Sequence, residues 1–260
     1  MRSAKLEPQP QPVSEANVNL NLGSIMINVG CCGFPVKRET YYQIFSVVEV
    51  QQTFYQLPRL ETGKRWKEEA PPDFEFTMKA WQLITHEPSS PTYRRLRMKI
   101  PEKKKKNYGF FKETEEVEEG WQRTAEFARA LGVEKIVFQS PASFTPSESS
   151  IRNLKHFFQK RKSNSFTFIW EPRGQWRRLE AERLCTELGI VPCLDPFEGK
   201  LAMGDLLYTR LHGRKGYRYT YSEMEMKEIM EKGMSYPNAY FMFNNVNMYE
   251  DAQRMKKLLG

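Results

Sequence analysis

The chain has 260 residues, of which 40% are hydrophobic and 28% are charged, and its formal net charge at pH 7 is +8. A chain of this length can bury a large core, either as one α/β barrel or as two small domains. No apolar run approaches the roughly 18 residues that a membrane-spanning helix needs, which argues against a membrane protein. The positive charge favours phosphorylated or polyanionic partners, although a solvated lysine-rich surface would give the same excess.

The cysteines and the N-terminus indicate the compartment. Cys31, Cys32, Cys185 and Cys193 show no Cys-x-x-Cys spacing, and an adjacent pair is a poor basis for a disulfide framework. The N-terminus is polar and lacks the apolar centre of a signal peptide. The sequence therefore predicts a cytoplasmic protein with reduced cysteines.

Short strands and helices alternate along the first part of the chain. Residues 1–23 are polar and rich in Pro and Gln, which predicts a disordered tail before a single folded domain at 24–260. In the second predicted strand, Glu49 and Gln51 share one face. The predicted strands are 25–29, 46–55 and 74–80, with Lys79 at the end of the third and His86 in the loop beyond it, and the predicted helices are 40–45 and 62–70.

Residues 87–112 interrupt this alternation. The segment holds three prolines and many cations, including the run Lys103–Lys106, and these are followed closely by Tyr108, Phe110 and Phe111. Loops of this length are usually functional or disordered. Basic residues beside aromatic residues suit a phosphate backbone with stacked bases, so we expect this basic insertion to contact DNA or RNA. A mobile, solvated loop is the alternative.

The alternation resumes in the second part of the chain. Apolar residues at helical spacing and a capping glycine, Gly132, predict a helix at 115–131. Glu171 and Arg173 end a buried strand and should project to the same side if the strand continues through Pro172. The other predicted helices are 147–161, 178–188, 222–232 and 249–259, and the predicted strands are 135–140, 166–173, 190–195, 206–213 and 239–243.

Eight strands alternating with helices predict a (β/α)8 barrel of the TIM type, with one helix short or missing between strands six and seven. A doubly wound sheet is the alternative. In a barrel, the carboxyl ends of all strands meet at one mouth. The polar residues expected there are Glu49, Gln51, Lys79, Gln139, Glu171, Arg173, Asp195, Arg210, His212 and Asn244.

The ordered set of strand ends resembles the domain-of-unknown-function-72 family, the YecE-like proteins. The residues that carry the resemblance are Gly30 to Phe34, Glu49 with Thr53-Phe54-Tyr55, Lys79, Thr85-His86, Gln139-Ser140-Pro141, Glu171-x-Arg173, Arg210-x-His212-Gly213, Tyr219-x-Tyr221-Ser222 and Asn244-Asn245. The family usually has Ser at Cys32, Trp or Tyr at Phe34 and Asn at Gln51. The resemblance implies a TIM-type barrel with a polar mouth and no settled activity. Similarity of such barrels to endonuclease IV-like enzymes suggests nucleic-acid processing, by analogy of fold alone.

Our first functional hypothesis is an enzyme that acts on a phosphate-bearing substrate, with nucleic acid as a candidate and a nuclease- or phosphodiesterase-like reaction. Lys79, Arg173 and Arg210 would bind phosphate oxygens, and His212 or Glu171 would act as general acid or base. The catalytic candidates are Glu49, Glu171 and His212, and the substrate-binding candidates are Lys79, His86, Gln139, Arg173, Arg210, Tyr219, Asn244 and Asn245.

Two alternatives remain open. A glycosidase-like hydrolase would use Glu49 and Glu171 as its carboxylate pair, with nearby aromatic residues stacking on sugar rings. In a non-catalytic nucleic-acid-binding module, the same acids would form structural ion pairs with Arg173 and Arg210.

The cofactor question turns on ligand types. Carboxylates at Glu49, Glu171 and Asp195 would suit Mg²⁺ or Mn²⁺, whereas a chain with only 3 His does not suit a multi-histidine zinc cluster. Cys31 or Cys32 could serve as a nucleophile with a histidine base, but a free cysteine is more often simply buried.

Overall fold

Eight parallel strands form the centre of the computed structural model, which describes residues 25–161, 165–199 and 204–260. The predicted tail at 1–23 lies outside these residues. The strands pair in the order β6-β5-β4-β3-β2-β1-β8-β7, giving a nearly closed barrel that confirms the predicted TIM-type architecture. The strands are β1 (Met26–Cys32), β2 (Val47–Val50), β3 (Glu75–Lys79), β4 (Lys135–Gln139), β5 (Thr167–Glu171), β6 (Val191–Pro192), β7 (Leu206–Leu211) and β8 (Asn238–Phe243).

Helices surround the barrel and begin and end at the signals expected of them. Ser147 and Ser222 cap the N-termini of their helices, and Gly132 and Gly189 end theirs in the left-handed conformation. No helix lies between β6 and β7 within 193–199 and 204–205, as expected from the sequence. The helices are α1 (Arg38–Tyr42), α2 (Gln52–Tyr55), α3 (Leu60–Glu69), α4 (Gln82–Thr85), α5 (Glu115–Leu131), α6 (Glu148–Lys160), α7 (Arg178–Leu188), α8 (Glu223–Gly233) and α9 (Met248–Leu259).

The barrel interior is filled by alternate residues of the strands. One apolar cluster inside it includes Val47, Val137, Ile169, Tyr208 and Tyr240. Because side chains alternate faces along a strand, the residue two positions further on also points inward, one level closer to the mouth. That rule puts charged and polar side chains directly above the apolar interior: Glu49 above Val47, Gln139 above Val137, Glu171 above Ile169 and Arg210 above Tyr208.

The predicted end of the second strand is wrong. This strand was expected to run over 46–55, but β2 ends at Val50 and Gln52–Tyr55 form the short helix α2. The Thr53 hydroxyl lies 2.8 Å from the carbonyl of Val50 and 2.7 Å from that of Lys79, contacts that fasten the turn to the end of β3. Likewise β5 ends at Glu171, so Arg173 lies beyond the strand.

The 87–112 segment is more ordered than the predicted loop. It contains two 3₁₀ helices, Pro91–Arg95 and Glu102–Asn107. Tyr108 and Phe111 are buried, with the ring of Phe111 packed 5.4 Å from that of Phe144. These two aromatic residues therefore belong to the core and are not free to stack on nucleic-acid bases. This corrects the part of the expected contact with DNA or RNA that relied on them.

Candidate functional site

A buried ion cluster lies at the carboxyl ends of the strands, and Arg210 is its centre. Arg210 Nη1 donates to Glu171 Oε2 at 2.5 Å, and Nη2 donates to Gln51 Oε1 at 3.2 Å. Its Nε lies 3.1 Å from Glu49 Oε1, an ion pair without the alignment of a hydrogen bond. Tyr208 completes the surroundings of Glu49 by donating its hydroxyl to Oε2 at 2.9 Å. The Arg210 guanidinium is thus shared between two carboxylates, one from β2 and one from β5.

His212 lies at the outer edge of this cluster. Its Nε2 is 2.8 Å from Glu171 Oε1, and its Nδ1 is 3.0 Å from Asn244 Nδ2. An ionised Glu171 can only accept, so Nε2 carries the proton and Nδ1 holds the free electron pair that faces Asn244. Arg173 Nη2 forms an ion pair with Glu171 Oε1 at 3.0 Å; it also lies 2.8 Å from His212 Nε2, but with Nε2 protonated this approach is not a hydrogen bond, because a guanidinium can only donate. The carboxylate therefore fixes the tautomer of the imidazole and is shared with a second cation.

Lys79 joins the cluster from β3 through an amide. Its Nζ donates to Gln139 Oε1 at 2.7 Å, and Gln139 Nε2 donates to Glu171 Oε2 at 2.8 Å. The ammonium also lies 3.7 Å from the centre of the Phe54 ring. Burial, followed by the charge of Arg210, lowers the pKa of Lys79 to about 7. Lys79 therefore changes charge close to neutral pH.

The same electrostatics set the charges of the other titratable groups. Burial alone would raise the pKa of Glu171, but Arg210, His212 and Arg173 hold it well below its ordinary value. Burial lowers the pKa of His212 below its ordinary value, and the Glu171 carboxylate only partly offsets this. At neutral pH the cluster thus contains an ionised Glu171 and a neutral His212.

Two cavities open at the mouth, one on each side of His212 and Asn244. The first has a volume of about 300 Å³ and lies at the ends of β5, β6 and β7, where Arg173, Asp195 and His212 are among its lining residues. The second has a volume of about 630 Å³ and lies at the ends of β1, β2 and β8, with Asn244 in its wall. A ligand can therefore reach His212 from the first cavity and Asn244 from the second.

Residues 36–260 match the family described as "Protein of unknown function DUF72". The chain belongs to the DUF72 family. Its resemblance to this family, seen first in the strand ends, is thereby confirmed. Among curated proteins, none is similar enough to this chain to count as a match.

Solved structures of other DUF72 proteins have the same fold. A DUF72 family protein from Enterococcus faecalis V583 is 17% identical, with a TM-score of 0.66 over 91% of this chain and 98% of that chain. One from Thermotoga maritima MSB8 is 20% identical, with a TM-score of 0.63 over 90% of this chain and 99% of that chain. D-psicose 3-epimerase from Clostridium cellulolyticum H10, solved with D-tagatose, is 11% identical, with a TM-score of 0.53 over 85% and 89%. At such low identities the likeness shows the fold alone.

Most of the predicted site residues of this DUF72 chain converge at the mouth. The structure brings together Glu49, Gln51, Lys79, Gln139, Glu171, Arg173, Arg210, His212 and Asn244 in one hydrogen-bonded group. The catalytic and binding roles assigned to them from the sequence stay predictions.

Four predicted residues lie outside that group. His86 is buried against the ring of Phe54 and lies 2.8 Å from the Thr85 hydroxyl, and burial lowers its pKa to about 3. Asn245 is buried and donates to Asp251 Oδ2, while Tyr219 donates to Glu225 at the start of α8. The Asp195 carboxylate lines the first cavity but accepts a hydrogen bond from the backbone of Phe197.

The metal hypothesis has little support from the placement of the acids. Within the described ranges, no group of three or more His, Cys, Asp or Glu side chains is arranged to hold a metal ion. Glu49 and Glu171 instead each direct one oxygen at Arg210, and their other oxygens contact Tyr208 and His212 respectively. None of the described helices is long and apolar enough to cross a bilayer.

The cysteines of β1 are unsuited to act as nucleophiles as they stand. Cys31 and Cys32 are both buried, and their thiols lie 3.4 Å and 3.8 Å from the backbone carbonyls of Met248 and Met242. Burial raises the pKa of Cys31 to about 12 and that of Cys32 well above its ordinary value. Both therefore remain thiols at neutral pH.

Sequence reasoning missed Tyr208 as a member of the cluster. Tyr208 is fully buried and bonds both Glu49 and Thr77, which belong to different strands. A signal for it was present, because Tyr208 precedes Arg210 by two positions and so shares its inward face.

Proposed function

We propose that this protein is an acid–base enzyme that acts on a phosphate-bearing substrate at the barrel mouth, with His212 as the group that accepts the proton. The pairing of His212 with the buried Glu171 carboxylate carries the proposal. A histidine held in one tautomer by a carboxylate, at the wall of a cavity, is a common arrangement for general acid–base catalysis. The His212 side chain is 18% exposed, so it can reach a ligand, whereas Glu49 and Arg210 are almost completely enclosed.

The substrate class is inferred from Arg173. The Arg173 side chain is 38% exposed and lines the first cavity, while Lys79 and Arg210 are buried and occupied by other partners. A planar guanidinium at the edge of a cavity is suited to bind two phosphate oxygens at once. We therefore assign phosphate binding to Arg173 and a supporting role to the two buried cations.

In the proposed reaction, a water molecule replaces the Asn244 amide at Nδ1 of His212 and gives up a proton there. Its oxygen forms the new bond to phosphorus, and the bond from phosphorus to the leaving oxygen breaks. The imidazolium then returns the proton to the leaving oxygen. Glu171 stabilises the imidazolium through Nε2, and Arg173 neutralises charge on the phosphate.

The experiment is hydrolysis of single-stranded, duplex and abasic DNA and RNA by the purified protein, with and without Mn²⁺. His212→Gln should lower the rate by about 10²–10⁴-fold, the usual contribution of a general acid or base. His156→Gln is the matched control, because His156 lies on the outer helix α6 and pairs with Glu113. Activity should fall as pH drops through a value below 6.5, since burial lowers the pKa of His212.

The outcomes discriminate between the hypotheses. Absence of cleavage by the wild-type protein, together with salt-sensitive binding, would favour the non-catalytic binding module. The glycosidase alternative is less well supported, because Glu49 is 0% exposed and its carboxylate is held by Arg210.

We also propose that the protein works in a reducing compartment such as the cytoplasm. All four cysteines are free and buried, as in proteins that do not depend on disulfides.

A further inference from the structure

We infer that the second mouth cavity is a phosphate subsite that holds the strand of a single-stranded nucleic acid next to the phosphate at His212. This assignment rests on the proposed function and names its substrate class. Two exposed cations that line the cavity, Lys37 and Arg95, carry it.

Lys37 and Arg95 are available to an anion. Neither forms an ion pair with a carboxylate of the described residues, whereas Arg38, in the same wall, is bound to Glu69 at 2.6 Å. Glu39 is the one carboxylate among the residues that line this cavity. The wall therefore carries an excess of positive charge, which attracts phosphate.

Arg95 is held in place before any ligand arrives. Its guanidinium lies 3.4 Å from the centre of the Tyr55 ring, a cation–π contact. The chain just beyond it is fastened to the barrel, because the backbone N–H of Arg97 donates to Gln56 Oε1 at 3.1 Å. The basic 87–112 segment thus delivers one fixed cation to the mouth, and a fixed cation loses little entropy when it binds.

Asn244 connects this cavity to the catalytic group. It lines the second cavity, and its amide contacts Nδ1 of His212, which lies in the wall of the first. A chain of phosphates with one member at Arg173 and another at Lys37 and Arg95 would pass directly over Asn244. Two adjoining cation-lined cavities fit consecutive phosphates of one strand better than a single phosphate monoester.

The size of the cavity selects a single strand. Its volume of about 630 Å³ is in the range of small-molecule sites, large enough for one nucleotide unit and far too small for a duplex. Tyr55 and the partly buried Phe34 supply aromatic surface beside the cations, as in grooves that bind single strands.

The test is fluorescence anisotropy with a fluorescein-labelled 12-residue oligothymidylate over a series of KCl concentrations. The double variant Lys37→Ala/Arg95→Ala should bind at least tenfold more weakly at low salt. Its slope of log affinity against log salt should be smaller by about 1.4, because each phosphate contact to a single strand contributes about 0.7. The charge-matched control, Lys227→Ala/Lys257→Ala on the outer helices α8 and α9, should bind like the wild type.

Competition identifies the ligand. Unlabelled oligothymidylate should compete well, and thymidine monophosphate and duplex DNA of the same length should compete poorly. Equal binding by the double variant and the wild type, better competition by duplex or mononucleotide, or no binding by the wild type would each overturn the subsite.

Failure of the subsite proposal can be distinguished from failure of the proposed function. Cleavage that depends on His212 but not on Lys37 and Arg95 refutes only the subsite. Binding that depends on Lys37 and Arg95, without any cleavage, refutes only the catalytic proposal.

Discussion

The inner and outer halves of the ion cluster each contain an arginine paired with a carboxylate, but they differ in their access to solvent. In the inner half, Glu49 and Arg210 are 0% and 1% exposed, and each makes several contacts with other members of the cluster. In the outer half, His212 and Arg173 are 18% and 38% exposed. The difference teaches that one ion cluster at a barrel mouth can combine a buried half that fixes positions with an exposed half that is accessible to a ligand.

Glu171 belongs to both halves. One oxygen accepts from Arg210 and Gln139, and the other lies within 2.8 Å of His212 and 3.0 Å of Arg173. Its carboxylate therefore transmits the fixed geometry of the inner half to the imidazole. A buried ion pair adds little net stability by itself, because desolvation of the charges offsets their attraction. Its value here lies in orientation.

Arg210→Met should cause the largest loss of stability, because it removes the central cation of the inner half. The substitution leaves Glu49 buried without a cation and Glu171 with only the partly exposed Arg173, and loss of one partner of a buried pair costs about 3–5 kcal/mol. We expect the free energy of unfolding, measured by urea denaturation, to fall by that amount. The matched substitution in the outer half, Arg173→Met, should cost less than about 1 kcal/mol, because the Arg173 side chain is more than one-third exposed and Glu171 keeps its buried partner Arg210.

A triple variant checks the cause. Glu49→Gln/Glu171→Gln/Arg210→Met also removes the two carboxylate charges that Arg210 contacts, and it should recover much of the lost stability. Equal losses for Arg210→Met and Arg173→Met would mean that the two halves do not differ in the way described.

Lys79→Met should have the next largest effect on stability. It tests the burial of the inner half through the pH dependence of the unfolding free energy. The folded protein holds the Lys79 proton less tightly than the unfolded chain, because burial lowers the pKa from 10.5 to about 7. Between these values the unfolded chain binds more protons, so the wild-type protein gains stability as pH rises and loses it as pH falls. The difference in unfolding free energy between wild type and variant should change by about 1.4 kcal/mol per pH unit, or about 2 kcal/mol from pH 7.5 to 9.

Comparison with the variant at each pH cancels the titration of every other group, including the cysteines. Urea denaturation of both proteins at four pH values gives the two curves. Parallel curves would show that Lys79 titrates normally and is not enclosed.

Alternation along the strands made the composition of the cluster predictable. Glu49, Glu171 and Arg210 each stand at a strand end and on the inward face, and both features are readable from a period of two. Asn244, which directly follows the last strand, was placed at the same mouth by the same reasoning. These residues could be placed together because parallel strands in a barrel bring their carboxyl ends to one level.

The pairing and depth of those residues could not be predicted in the same way. Glu49 and Tyr208 are 159 residues apart, and their contact depends on barrel closure rather than on any local pattern. The turn of α2 depends on Thr53 reaching the carbonyl of Lys79, again a tertiary contact. Burial of Phe111 depends on the packing of α6 against its ring. Local sequence carries no information on such distant partners.

The smallest predicted effect is the change in the pKa of His212 caused by Glu171→Gln, which tests the link between the two halves. Burial lowers the pKa of His212, while the Glu171 carboxylate raises it. Removal of this negative charge leaves the imidazole beside the two cations Arg173 and Arg210, so the pKa of His212 should fall further. The measurement is NMR titration of the imidazole signals, which is practical because the chain has 3 His.

His156 provides the internal reference in the same spectra. It lies beside Glu113 on the outer face of the barrel, far from the substitution, so its signals should be the same in both proteins. His212→Gln assigns the signal by removing it. An unchanged or raised pKa of His212 in Glu171→Gln would mean that the carboxylate does not stabilise the imidazolium. The inner half would then have no electrostatic influence on the partly exposed His212 imidazole.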